Sequence, residues 1–174
     1  TYMYYTNSEA KTTLENWYQS NLGSKEDLAK LIASGDYYCE QAKAKSASIW
    51  PQGNANMILY SSYTPDFKCA TDGNGKGVVN ASVGLLSYDE VVYAGGYTNQ
   101  NNSNYYLYNS SIAWWTMGPS NFCGEGSYIW YVSSAGAINC SNYDGRLLRP
   151  VLILTADTKI SDGDGTINNP FVVE

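Results

Sequence analysis

The 174-residue chain contains no histidine. That removes Ser-His-Asp and Cys-His nucleophilic catalysis, imidazole metal ligands and the commonest general base. Charge is also scarce. Asp, Glu, Lys and Arg make up 15% of the chain, with 10 basic residues against 16 acidic ones and a net charge of −6. The basic residues form no cluster, so neither nucleic acid nor an anionic membrane is an expected partner. No apolar run reaches the roughly 18 residues of a spanning helix, and no membrane insertion is expected. Nothing resembling a leader precedes the helical pattern, and the expectation is a mature or trimmed ectodomain. None of the four cysteines forms a CxxC pair, which argues against a zinc site or a dithiol redox motif. No metal and no cofactor are expected.

What is abundant is tyrosine, with 17 residues, in a chain that is 44% hydrophobic. The surface must then be built largely from Asn, Ser, Thr, Gly and Tyr, a composition suited to extracellular binding surfaces. The length suits a single domain over residues 1–174 with a sizeable core. An even cysteine count in such a chain favours two disulfides. Of three connectivities, Cys39–Cys69 with Cys123–Cys140 is expected, because each closes a short loop within one region. The alternative is four buried free thiols in a cytosolic protein.

Residues 1–6 read as a short aromatic strand. Ser8 caps a helix through about Leu22, with Leu14, Trp17 and Tyr18 as its apolar stripe. Ser24 and Asp27 resemble a capping arrangement for a second helix to about Ser34, with Leu28, Leu31 and Ile32 inward and Gly35 as its stop. Residues 36–79 show weak patterning and call for a staple, which Cys39–Cys69 supplies. Ser87-x-x-Glu90 is a capping box for a short helix through Tyr93, ended by Gly95-Gly96. After a polar loop at 97–104, Tyr105–Tyr108 alternates like a brief strand.

The chain is organised around residues 114–150. Ile112–Met117, Tyr128–Ser133 and Ala137–Ser141 read as strands, the last two joined by a turn at Ser134-Ala135-Gly136. Alternation places Trp130 and Val132 inside and Tyr131 and Ser133 outside. Trp114 and Trp115 must point to opposite faces; the outward one is either a stacking platform or covered by the 36–80 segment. Leu147–Leu154 is a fourth strand interrupted by Pro150. Arg149 is expected in an ion pair or on backbone carbonyls. The tail turns at 161–170, and Phe171-Val172-Val173 forms a last strand.

Chemical motifs are few. Ser8-x-x-Lys11 sits at a helix start, where capping explains the serine. Asp162-x-Asp164-Gly165 lacks the closing glutamate of a calcium loop and reads as a turn. Gly73-x-Gly75-x-Gly77 lacks dinucleotide-loop spacing and reads as a plain loop. Glu125 and Asp144 both lie near the central sheet and are the only candidate pair for glycoside hydrolysis.

Taken together, Trp114-Trp115-Thr116-x-x-Pro119, the aromatic hairpin, Arg149-Pro150-Val151-x-Ile153-x-Leu154 and further blocks closely resemble secreted domains of Gram-positive gut bacteria. Those blocks are Gly163–Pro170, Leu14–Tyr18 and residues 84–96. Such domains belong to the C-type lectin-like superfamily, which includes the retroelement-diversified variable proteins. The resemblance implies an α+β fold with two N-terminal helices flanking small antiparallel sheets. It also implies a ligand face on the strands and loops before the Arg-Pro strand. Here that face would be drawn from Asn121, Glu125, Tyr131, Ser133, Asn139, Ser141, Asn142 and Tyr143. Two departures stand out. Leu147 and Leu148 replace the usual Gly-Val before Arg-Pro, and the sugar-binding triplets of calcium lectins are absent, so calcium-dependent sugar binding is not carried over.

The expectation is a non-catalytic, secreted or cell-surface domain that binds an extracellular protein or glycan, in an adhesin or receptor role. The first alternative is a pilus or surface-layer subunit that associates with its own copies. The second is a glycan-acting hydrolase using Glu125.

Overall fold

The structure, a computed structural model, describes residues 5–39, 65, 67–69, 77–123, 126–142, 145–166 and 168–174, with the backbone alone at 121–123 and 126–127. The first four residues of the expected N-terminal strand, Trp50-Pro51, Gly73, Gly75, Glu125, Tyr143 and Asp144 lie outside the described residues. The fold is α+β: short helices and several small sheets.

Tyr5–Asn7 is a 3-10 turn rather than a strand. Helix α1, Glu9–Tyr18, starts where the hydroxyl of Ser8 accepts a hydrogen bond from the Lys11 amide at 3.1 Å, satisfying one orphan donor of the first turn. Leu14 and Tyr18, four residues apart, are the buried stripe, whereas Trp17 is 37% exposed. The helix then widens into a π-helical turn, Gln19–Gly23.

The expected second helix is cut to one turn, α2, Glu26–Ala29, with Lys25 rather than Ser24 at its N-cap and no side-chain cap. Its continuation is claimed by tertiary pairing. The Ala33 amide donates to Ile153 O at 2.8 Å, and the Thr155 amide to Leu31 O at 2.9 Å. Backbone groups spent on that neighbour are not available to helical turns. Ile32 is buried as expected, while Leu28 lies at the surface.

Strands β1, Gly35–Cys39, and β2, Val78–Ala81, form an antiparallel pair across a bulge at Asp36/Tyr38. The disulfide Cys39–Cys69, Cα atoms 4.8 Å apart, joins residues 30 apart in sequence beside this ribbon. In a chain-entropy model a loop of that size is worth roughly 3–4 kcal/mol.

The capping box forms as read. Helix α3, Tyr88–Tyr93, has the Ser87 hydroxyl on the Glu90 amide and the Glu90 carboxylate on the Ser87 amide. Residues 105–108 are not a strand. The Tyr108 amide closes a turn on Tyr105 O at 3.1 Å, and the alternation arises because Tyr105 and Leu107 are buried while Tyr106 is 81% exposed.

The central sheet contains β3 (Tyr97–Thr98), β4 (Trp114–Cys123), β5 (Gly126–Val132), β6 (Ala137–Ser141) and β7 (Leu147–Leu148), in the order β3-β6-β5-β4-β7. It is mixed rather than purely antiparallel: β3–β6 and β4–β7 pair in parallel, β4–β5 and β5–β6 antiparallel. Strand β4 runs well past the expected end at Met117. Gly118, at φ +131°, and Pro119 sit in the bulged part of the ladder, the setting in which a strand tolerates proline. Beyond β7 and Pro150 the chain pairs locally with new partners, Val151 with Gly84 and Leu154 with Ile32. The tail closes as a ribbon of β8, Ile160–Asp162, with β9, Val172–Val173.

Two apolar clusters flank the central sheet. One joins Leu14, Tyr18, Tyr38, Val79, Val83, Leu85 and Met117. The other joins α3 to the sheet through Tyr88, Val91, Trp114, Trp130, Val132 and Ile138.

Buried tyrosine hydroxyls tie each cluster to the acceptors around it. Tyr5 donates to Val83 O, Tyr38 to Val151 O and Tyr105 to Gly136 O, each at 3.0 Å. Tyr88 shares a 2.7 Å hydrogen bond with Thr98. Burial pushes the Tyr38, Tyr88 and Tyr105 phenols up to about 12, and Tyr5 higher still, with the Glu15 carboxylate adding to the effect of burial. The folded state therefore holds these protons more tightly than the unfolded chain, whose phenols titrate near 10. Stability is fully present below about pH 10 and falls as pH rises toward 12, because the unfolded chain releases its protons first. Tyrosinate absorbance followed against pH should show these phenols ionising together with loss of folded circular dichroism. Their ionisation near pH 10 with the fold intact would refute the tie.

Candidate functional site

The site is built from strand parity on the central sheet. Trp114 pairs with Val132 and Trp115 with Tyr131 across β4–β5, while Val132 pairs with Ile138 and Tyr131 with Asn139 across β5–β6. Trp114, Val132 and Ile138 therefore share one face and are fully buried against α3. Trp115, Tyr131 and Asn139 form a row on the opposite face, continued on β7 by Leu148, the partner of Trp115. Trp115 and Leu148 pack against the first apolar cluster, so this face is covered at its β4–β7 side. Toward β5 and β6 it opens, with Tyr131 and Asn139 half-buried.

Arg146, in the segment before β7, lies over this row. Its guanidinium carbon is 3.7 Å from the Tyr131 ring centre and 4.9 Å from that of Trp115. The two rings meet edge to face with centres 5.9 Å apart. Each cation–ring contact contributes about 0.5–2 kcal/mol, depending on solvent access. Gly145, at φ +101°, adopts the left-handed conformation that turns the chain into Arg146. Among the described residues, Arg146 and Tyr131 lie against Trp115, which also packs on the cluster holding Tyr38 and Val79; most of the 36–80 segment expected to cover it lies outside the described residues. Arg149 takes a different part. One guanidinium nitrogen donates to Leu107 O at 2.8 Å, and the group lies 5.1 Å from the Trp114 ring centre. That is the carbonyl-holding role expected for it.

The eight residues of the expected ligand face divide. Tyr131 and Asn139 are direct cross-strand partners, and Asn142 is exposed just beyond β6. Ser133 is spent on the hairpin, where its hydroxyl accepts from the Ala137 amide at 3.2 Å. That turn needs glycine at 136, where φ is +80° and a side chain would strike Asn102 O. Ser141 is 6% exposed and withdrawn from any surface ligand. Asn121 pairs through its backbone with Tyr128, and its side chain lies outside the described residues, as do Glu125 and Tyr143. The carboxylate pair Glu125/Asp144 likewise lies outside them. Arg146 was missed by sequence reasoning. The available signal was a basic residue, rare in this chain, directly after an Asp-Gly turn beside an aromatic hairpin.

One cysteine expectation is corrected. Cys140 is a free, exposed thiol. Cys140 stands level with Trp130 and Cys123 level with Gly126, on strands separated by β5. Two strand spacings are about 9.5 Å and four residues along a strand about 13 Å, well beyond the span of a disulfide. The described residues contain no group of three or more acidic or cysteine side chains placed to hold a metal. No helix among them is long and apolar enough to cross a membrane.

Peptide mapping should therefore find Cys140 alkylated in the native protein and Cys39 linked to Cys69 until reduction. A Cys123–Cys140 linked peptide would contradict the β4–β5–β6 register.

Compared with known proteins, the chain matches no family model, no curated protein and no solved structure.

Proposed function

We propose that the protein is a secreted or cell-surface recognition domain that binds an extracellular protein or glycan through the open part of its central sheet, without catalysis. The observation that carries this reading is the Trp115–Tyr131–Asn139 row under Arg146. It combines two aromatic rings and an amide on the sheet with a guanidinium from the segment before β7. Aromatic faces stack on sugars or apolar side chains, and amide and guanidinium groups supply directional hydrogen bonds. Tyr and Arg are also the residues that most often dominate binding energy at protein surfaces.

The C-type lectin-like architecture belongs to the same proposal. It is supported by the α+β composition, by α1 at the start of the chain, and by the placement of the aromatic hairpin before Arg149-Pro150. The Cys39–Cys69 disulfide supports an oxidising, extracellular setting.

The test is binding of the intact domain to a glycan array and to an array of extracellular protein domains, with substrate mass checked afterwards. Tyr131→Ala and Asn139→Ala should each weaken a detected interaction by about tenfold or more, the size of a single contact at the centre of an interface. Tyr106→Ala, at an exposed site in the 105–108 turn, should leave it unchanged. Binding insensitive to both sheet variants would move the site elsewhere. Cleavage of the ligand would replace recognition with hydrolysis, and a sizing profile dominated by multimers would favour the structural-subunit alternative.

A further inference from the structure

A cleft lies beside the disulfide, and none of its described lining residues belongs to the Trp115–Tyr131–Asn139 row. The cleft encloses about 230 Å³ and is walled by the Tyr37–Cys39 part of β1, Phe67, Leu85 and the Val151–Ile153 segment, with Ser87 and Glu90 on its remaining side. The volume is below the roughly 300–1,000 Å³ of drug-sized sites, so the occupant is a small group.

Its lining is chemically one-sided. Tyr37, Tyr38 and Phe67 are its aromatic residues, Leu85, Val151 and Ile153 its aliphatic ones, and Glu90 the only charged one among the described lining residues. One Glu90 oxygen accepts from the Ser87 amide at 2.6 Å, which anchors the carboxylate through the α3 capping box. No cation pairs with Glu90 among the described residues.

The walls are held in place. The disulfide pins Cys39 near the Phe67 segment, where the Cys39 sulfur lies 3.7 Å from Phe67 O. Phe67 meets Tyr93 of α3 edge to face, with ring centres 5.4 Å apart. Tyr38 is 5% exposed and its hydroxyl is committed to Val151 O, so it is a fixed part of the wall.

An anchored carboxylate beside several aromatic rings attracts a cation that carries apolar surface, through ion pairing and the negative ring faces. We propose that this cleft binds an organic ammonium group on an apolar stem, with the cation at Glu90 and the stem against Tyr37, Tyr38 and Phe67. A free aralkyl amine and a lysine side chain of a peptide share that chemistry.

The test is a two-dimensional NMR titration of the oxidised protein with 2-phenylethylamine, 2-phenylethanol and Nα-acetyl-lysine methylamide. The amine should bind at least about tenfold more tightly than the alcohol, the order expected for one partly desolvated cation contact. Glu90→Gln should abolish that preference; glutamine keeps the capping geometry, so the fold survives. Tyr37→Ala, at an exposed wall, should weaken both ligands. The tighter of phenylethylamine and the lysine derivative identifies the source. Equal affinity for amine and alcohol, an unchanged preference in Glu90→Gln, or no shifts at the cleft would overturn the proposal.

Discussion

The alternation of Trp114 and Trp115 on β4 is the constraint on which the rest depends. Adjacent strand residues face opposite ways, so the two largest side chains of the segment are committed to opposite sides of one sheet. Trp114 closes the cluster under α3, and Trp115 joins the open row with Tyr131. A slip of one residue would exchange a fully buried indole for one partly in contact with solvent. The register is reinforced on every side. The Met117 amide donates to Leu86 O at 2.7 Å, the Thr116 hydroxyl donates to Trp130 O at 2.9 Å, and β7 pairs along the other edge. Arg149 then covers the Trp114 ring while holding Leu107 O. One dipeptide therefore positions the core and the proposed recognition face together.

A chain so poor in charge ties its parts together by other means. The ion pairs Lys11–Glu15 and Lys30–Asp27 are short-range contacts on or near the surface, of a kind worth about 0–1 kcal/mol each. Among the described residues, tyrosine hydroxyls on backbone carbonyls are prominent long-range connections. Tyr5 reaches Val83 and Tyr38 reaches Val151. Each ring fills core volume while its hydroxyl donates to a backbone carbonyl, so the buried phenol is not left unpaired. The abundance of tyrosine is thus partly structural, with Tyr131 on the open face and Tyr37 at the cleft in a different role.

Local signals were legible where the physics is local. Ser8 and the Ser87–Glu90 box announce α1 and α3, because a cap is an interaction within one turn. The alternation of Trp130, Tyr131 and Val132 gives both faces of β5, and with them the Tyr131–Asn139 part of the site. Long-range pairing was not legible. Strands β1 and β2 are far apart in sequence, and although β2 alternates exposed and buried positions, its residues Val78-Val79-Asn80-Ala81 do not alternate apolar with polar, so the pairing leaves no pattern to read. The parallel edges of the central sheet and the truncation of α2 depend on partners far along the chain. Tyr105–Tyr108 mimics a strand because a turn can also bury every second side chain. The mistaken Cys123–Cys140 pairing assumed that closeness in sequence implies closeness in space, whereas β5 intervenes.

The division of the sheet into a fully buried face and a partly open face, the proposed recognition face, is tested most directly by urea unfolding of Trp114→Ala and Trp115→Ala side by side. The account predicts that Trp114→Ala loses about 3–5 kcal/mol, as expected for removing a fully buried indole, or fails to fold. Trp115→Ala should lose clearly less and keep the native spectrum, since its ring is only partly buried under Arg146 and Tyr131. Equal losses, or the reverse order, would contradict the parity from which the site is derived.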